Sequence, residues 1–210
     1  MGGLVYLFVR KNIVLKNIIL IFFILLCLLN NNINADTMII DNMNDETNSK
    51  SENQYCENSD SKWCFVSDKV MGGVSEGSLV LKNEDNIKFY KMKGDVSTKN
   101  NGGFIQFRTE IKNHPSGKLY KGIRLKVRGN SEEYAVHIRT KYLFLPWQYY
   151  EAKFMTKEEW VLIDLPLVDF AKSNFYQPSS ISSTDIKTIG IVAIGRDFSA
   201  DVDLAFIELY

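Results

Sequence analysis

The chain has 210 residues, 25 Lys and Arg against 25 Asp and Glu, two His, three Cys and 45% apolar residues. Zero net charge with both signs interspersed excludes a polyelectrolyte surface for nucleic acid, and the apolar content excludes a wholly disordered chain. The two histidines, His114 and His137, are not paired with each other or with cysteines, so no metal site is expected.

The first 17 residues carry Arg10, Lys11 and Lys16 and no acid. Ile18 to Leu29, IILIFFILLCLL, is then twelve consecutive apolar residues, followed by NNNINA ending at Ala35. A basic start, an apolar run of this length and a polar stretch ending in a small residue have the form of a secretory signal peptide. Twelve residues fall short of the roughly 20 needed to span a bilayer. Residues 1–35 are therefore predicted to direct export to the periplasm or outside the cell, with cleavage near Ala35. The alternative is an uncleaved anchor, the one route by which a membrane becomes a partner.

Residues 36–60 hold Asp36, Asp41, Asp45, Glu46, Glu52, Glu57 and Asp60 against Lys50, amid Asn and Ser. Such a stretch buries too little apolar surface to offset its ordering entropy, and it is predicted to be an acidic polar linker. Residues 61–210 then fit one domain with one core. Cys56 and Cys64, with seven residues between them, are the pair left after cleavage. An oxidising compartment would join them in a local disulfide between linker and domain edge; two free thiols are the other reading.

Two glycine doublets come next in question. SDKVMGGVSEGS spans Ser67 to Ser78, and STKNNGGFIQFR spans Ser97 to Arg108. A phosphate loop needs a Lys and a Ser or Thr after its glycines, opening a helix, whereas these glycines lead into strand-like sequence. They are read as supplying positive φ or close backbone approach at turns, with Asp68 and Ser75 bonding nearby amides. Asp68 with Ser67, Ser75 and Asn101 as oxygen ligands for calcium is the weaker alternative.

From Ser78 onward apolar residues recur with period two. SLVLK, NIKFYKMKG, GFIQFRTEI, KGIRLKVRG, EYAVHIRTK, WQYYEAKFM, EWVLIDLPL, KTIGIVAIG and VDLAFIELY are nine strand-like runs rich in Val, Ile, Phe and Tyr. In KGIRLKVRG, Ile123, Leu125 and Val127 face one way and Arg124, Lys126 and Arg128 the other, the habit of antiparallel sheets with one wet face. KTIGIVAIG is apolar on both faces and reads as a central strand. Helical periodicity is missing apart from a turn near PLVDFAKSNF. Nine short strands without helices predict an all-β sandwich or jelly roll.

On PWQYYEAKF, Trp147 and Tyr149 share a face with Glu151 and Lys153, while Tyr150, Ala152 and Phe154 take the other. Arg108, His137 and Arg139 from other strands are expected to join that face, making a surface for a protein partner or a sugar ring. The competing reading packs Trp147 under a loop and makes Tyr149 an ordinary cross-strand aromatic. Neither histidine lies in a Ser or Cys motif, and nothing in the sequence pairs Glu151, Asp164 and Asp169. No catalysis and no cofactor are expected.

Trp63 with SDKVMGGVSEGS, then GDVSTKNNGGFIQFRT, then YKGIRLKVRGNSEEYAVHIRT resembles the complex I intermediate-associated protein 30 family. WQYYEAKF, EWVLIDLPLVDF, IKTIGIVAIG and a closing FIELY follow in the family's order, so the resemblance covers residues 61–210. It implies a galactose-binding-like jelly-roll fold and a non-catalytic, chaperone-like assembly factor that engages a protein on one sheet face. It also makes Asp68, Met71, Gly72, Gly73, Ser75, Asn101, Gly102 and Gly103 candidate binding positions. The family's mitochondrial members assist complex I assembly inside the organelle, whereas this chain begins with an export-type segment. A carbohydrate-binding module of an exported protein is accordingly the alternative function.

Overall fold

The structure, a computed structural model, describes residues 36–44, 62–112, 114 and 117–210. The segment read as a signal peptide, Cys56 and the stretch read as a linker beyond residue 44 lie outside the described residues.

All nine alternating runs are strands: β3 (Glu76–Glu84), β4 (Ile87–Val96), β5 (Phe104–Glu110), β6 (Gly122–Gly129), β7 (Glu133–Thr140), β8 (Tyr150–Met155), β9 (Val161–Pro166), β11 (Ile186–Ile194) and β12 (Phe198–Leu209). Three short ones join them: β1 (Met38–Asp41), β2 (Cys64–Ser67) and the two-residue β10 (Ala171–Lys172). The expected turn at PLVDFAKSNF is a single 3-10 turn, Leu167–Asp169. Pairing is antiparallel throughout, in two six-stranded sheets. The first runs β3-β4-β12-β6-β9 with β1 added beside β12, and the second runs β10-β8-β7-β11-β5-β2. This is a jelly-roll β-sandwich.

β1 corrects the linker reading. Met38 to Asp41 lies within the stretch assigned to an acidic linker, yet it pairs with Asp41 opposite Ile207 and Met38 opposite Leu209 of β12. The acids suggested solvent, but Asp41 is buried with Ile40 and Met43. Met43 N–H donates to its Oδ1 at 2.8 Å, and the Trp63 indole N–H donates to its Oδ2 at 2.8 Å. A buried acid with donors in place belongs to a core element, which composition does not reveal.

The inner faces of the sheets meet over Trp63, Tyr90 and Phe107, the indole centroid lying 5.2 Å from the Phe107 ring and 6.2 Å from the Tyr90 ring. Register follows the hydrophobic period, because a slip by one residue would turn every apolar side chain to water. Where the period breaks, the backbone compensates. β12 buries Ala200, Val202 and Leu204, then Ile207 and Leu209, and a bulge between Leu204 and Phe206 absorbs the extra residue. The β3–β4 hairpin turns on Asp85 and Asn86, both at positive φ (50° and 62°), as a two-residue loop with matching strand twist requires.

The outer face of the first sheet neutralises itself. Arg124 forks onto Asp164 at 2.6 and 2.9 Å and reaches Glu208 at 3.1 Å. Arg128 pairs with Asp203 and Glu84 while its guanidinium lies over the rings of Phe89 and Trp160. Lys91 pairs with Asp201 and Asp203. Arg124, Arg128 and Lys91 on this face thus each have acids beside them, while Lys126 lies over the Trp160 ring.

Candidate functional site: a structural knot and a sheet face

The residues singled out in the sequence separate into two places. Asp68, both glycine doublets and Ser75 gather where the chain crosses between sheets, from β2 to β3 and from β4 to β5. Asp68 has no exposed surface. Its Oδ1 accepts the Ser75 N–H at 2.9 Å, and its Oδ2 accepts the Ser75 hydroxyl at 2.5 Å and the Gly103 N–H at 2.6 Å. The Ser97 N–H donates to Ser75 Oγ at 2.9 Å, so one carboxylate ties both crossings together. Burial would raise the Asp68 pKa, but the bonds from Ser75, Gly103 and Phe104 outweigh it and hold the acid below its ordinary value.

The glycines make room for this carboxylate. A Cβ on Gly73 or on Gly102 would overlap the Asp68 carboxyl group, while Gly72 and Gly103 stand at positive φ. Asn101, also at positive φ, is exposed, and so is Met71. The N–H and O–H donors around Asp68 are aimed at an anion, which is the carboxylate itself, and their partial positive charges oppose a cation. The calcium reading of Asp68, Ser67, Ser75 and Asn101 therefore fails on chemistry.

The second place is the outer face of the second sheet. Register puts Glu151, His137, Gly190, Arg108 and Cys64 in one row across β8, β7, β11, β5 and β2. Tyr149 and Arg139 lie beside the row. β11 is central, as its two-sided apolarity predicted. Tyr150, Ala152 and Phe154 are buried, so the expected division of PWQYYEAKF holds for Tyr149, Glu151 and Lys153. Trp147 is different: it precedes the strand, in the β7–β8 loop, and is 61% exposed, not packed under a loop. Cys64 is disulfide-bonded, with its partner outside the described residues.

Tyr149 stacks on His137 with centroids 3.9 Å apart and planes at 11°. His137 Nε2 lies 2.9 Å from Glu151 Oε2. That hydrogen bond, opposed by burial, holds Glu151 below its ordinary carboxylate range, so the acid is ionised and Nε2 is the donor. Burial and the Glu151 charge push the Tyr149 phenol up. The Glu151 bond fixes the imidazole on which Tyr149 stacks, and so orients the phenol. Glu151 lies on the second sheet and Asp164 on the first, paired with Arg124, so the candidate acids do not converge.

Of the aromatic rim of this face, sequence reasoning found Trp147 and missed the rest. Phe144 (85% exposed) and Trp147 project from the β7–β8 loop, Phe175 (73%) and Tyr176 (78%) from the loop after β10. The two loops are laced together. Tyr149 N–H donates to Ser173 Oγ at 3.0 Å, Ser173 N–H to Tyr149 O at 2.9 Å, and Gln177 Nε2 to Tyr149 O at 2.9 Å. Arg139 Nη2 donates to Leu145 O at 3.0 Å and Leu143 O at 3.3 Å, fixing the base of the first loop. A signal was available: YLFLPW and NFYQP are apolar runs around prolines with no strand or helix period, so most of their apolar side chains have no core face to fill, Leu143 being the one that is buried.

The rim and the knot stand at opposite ends of β11, since Thr140 pairs with Ile186 and Phe104 with Ile194. Eight residues of strand separate them by roughly 25 Å. A shallow cleft of about 360 Å³ beside the knot, lined by Phe65, Ser67, Ser75 and Gly77, is flanked by the Lys69–Glu76 ion pair at 2.7 Å.

Among solved structures, the fold is similar to the Family 11 carbohydrate-binding module of a cellulosomal cellulase of Clostridium thermocellum. The TM-score is 0.60 at 12% identity, over 83% of this chain and 94% of that one. A Family 11 module from the same organism, in complex with a β-1,3-1,4-mixed-linked tetrasaccharide, gives 0.58 at 12% identity, over 82% and 94%. A Family 30 module of another cellulosomal cellulase of that organism gives 0.50 at 11%, over 77% and 98%. At these identities the likeness is one of fold. No curated protein matches the sequence. Residues 51–204 match the profile of Complex I intermediate-associated protein 30. The chain, with its Asp68 knot and its glycine doublets, belongs to the complex I intermediate-associated protein 30 (CIA30) family.

Proposed function

We propose that this domain is a non-catalytic binding module that holds a protein partner on the outer face of the second sheet, in the manner of an assembly factor. The observation that carries the reading is the exposed rim of Phe144, Trp147, Phe175 and Tyr176, set on two loops held by side-chain and backbone hydrogen bonds. Exposed aromatics beside arginine are the composition of binding hot spots, and a rim held in place loses little entropy on binding. Family membership supports a protein as the partner. The disulfide at Cys64 and the N-terminal apolar run support an exported protein acting in an oxidising compartment.

The test is site-specific photo-cross-linking in the producing cell, with a photoreactive residue at position 144 or 175 and, as control, at Leu162 on the other sheet. A discrete protein adduct from the rim positions, absent at 162 and lost with Trp147→Ala, is expected. Equal adducts from both faces would sink the reading.

A second reading, glycan binding, is favoured by one observation: a Family 11 module of this fold is in complex with a mixed-linked tetrasaccharide. Trp147 and Tyr149 would then stack on sugar rings. Saturable binding of that tetrasaccharide, lost with Trp147→Ala, would establish it; no binding removes it.

A further inference from the structure

The two sheets treat arginine differently. Arg124 and Arg128 on the first sheet each touch acids. Among the described residues, the Arg108 guanidinium makes no ion pair or hydrogen bond, and Arg139 bonds to the carbonyls of Leu143 and Leu145 without meeting a carboxylate. The two lie on adjacent rows of one face, Arg108 opposite Gly190 and Arg139 opposite Thr188. The nearest acid in the Arg108 row, Glu151, is occupied by His137. Arg139 Nε is buried and donates to nothing. Burial, and then the charge of Arg108, push the Arg139 guanidinium below its ordinary range, as expected of two cations that feel one another without a counter-ion. An arginine stays charged regardless, and although Glu110 shares the Thr188 row with Arg139, among the described residues neither guanidinium meets its carboxylate, so the pair stands without a direct counter-ion.

Gly190 adds a place for a ligand. It sits between His137 and Arg108 with no side chain of its own, and the Gln106 side-chain oxygen and Arg108 Cβ lean over it, 3.2 and 3.4 Å from where a Cβ would stand, so the floor between the charges is low and polar. Beside it rises the loop that Arg139 anchors, carrying Phe144 and Trp147. Guanidinium groups beside an aromatic rim match a carboxylate next to an apolar side chain.

We propose that Arg108 and Arg139 form a carboxylate-binding subsite, and that it takes an acidic side chain of the protein partner whose neighbouring apolar residue lies on Trp147 and Phe144. The proposal rests on the partner-binding reading and names the chemistry that reading leaves open. Arg108 supplies the uncommitted guanidinium. Arg139 serves both the ligand and the loop, so it couples the charge of the subsite to the placement of the rim.

The test uses the full chain and three probes: the peptide acetyl-Glu-Glu-Phe-amide, its Gln-Gln-Phe counterpart, and trigalacturonate as a carboxylate borne on sugar. The acidic peptide is expected to bind by calorimetry or NMR titration, the amide peptide not to. Arg108→Gln should weaken the acidic peptide about tenfold or more, the scale of a lost charge-assisted bond, with the melting temperature unchanged. Arg139→Lys should weaken it too while retaining the charge, because an ammonium cannot fork. Three results overturn the proposal: no acidic-peptide binding up to about 10 mM, equal binding of both peptides, or indifference to Arg108→Gln. Tighter binding of trigalacturonate than of the acidic peptide overturns the protein source. Failure here with a rim-specific photo-adduct intact removes the subsite alone; loss of the adduct removes the partner-binding face itself.

Discussion

The indole N–H of Trp63 donates to Oδ2 of Asp41 at 2.8 Å, joining strand β1 to the centre of the sandwich across 22 positions of sequence. The other carboxylate oxygen accepts the Met43 N–H and lies 3.4 Å from Lys62 Nζ. Residues before the family motifs thus complete the core.

Asp41→Ala removes the acceptor and strands a buried N–H, which costs about 1–3 kcal/mol. Urea denaturation followed by Trp fluorescence should show the loss. Trp63→Phe in the Asp41→Ala background should cost less than the same change in the parent, because the N–H it deletes is already unsatisfied. Additive costs would mean that the bond does not form.

Gly72 and Gly73 are neighbours with different reasons to be glycine. Gly72 has open space around it and φ of +88°, so Gly72→Ala meets only backbone strain, on the order of 1 kcal/mol. Gly73→Ala drives a Cβ into the Asp68 carboxyl group and must displace its hydrogen bonds, at a cost of at least about 2 kcal/mol. Denaturation midpoints should rank parent, Gly72→Ala, then Gly73→Ala. Equal losses would mean that the carboxylate moves aside freely.

That pair also shows what was legible in the sequence. A glycine doublet before a strand announces a turn, and Asp and Ser near it announce local hydrogen bonds, because these are short-range chemistry. What a residue meets from 35 positions away, such as the Gly103 N–H on Asp68, is not written locally. The same holds for the sheets. Period two located nine strands, but Met38 to Asp41 shows no such period and its acids resembled solvent-facing ones until Trp63 met them. On the face, Tyr149, His137, Arg108 and Arg139 were readable because alternation assigns them to one side. Phe144 and Phe175 were not, since loop residues follow no period and their placement comes from the lacing through Ser173 and Gln177.

Asp68 sets an acid limit on stability. Its pKa is depressed in the folded chain, so its contribution is fully present above the unfolded value, about 4, and is lost as pH falls through the folded value. Stability measured from pH 6 down to pH 2 should fall in that range. Asp68→Asn, unable to accept as a carboxylate does, should be less stable at pH 6 and show a shallower acid decline. A parallel decline in both proteins would place the effect in other acids.

Trp147 and Tyr149 should separate binding from folding. Trp147 is largely in water and, among the described residues, stacks on no other ring, so Trp147→Ala should change stability by no more than about 0.5 kcal/mol. Tyr149 covers His137 in a stacked pair, and Tyr149→Ala should cost about 1–2 kcal/mol through the lost stack and uncovered surface. Tyr149→Phe, which keeps the ring, should recover most of that. Both alanine variants should weaken rim-specific capture of the partner, so melting curves beside cross-linking yields distinguish them. If Trp147→Ala lowers Tm as much as Tyr149→Ala does, the indole is a packing residue and the rim loses its central member.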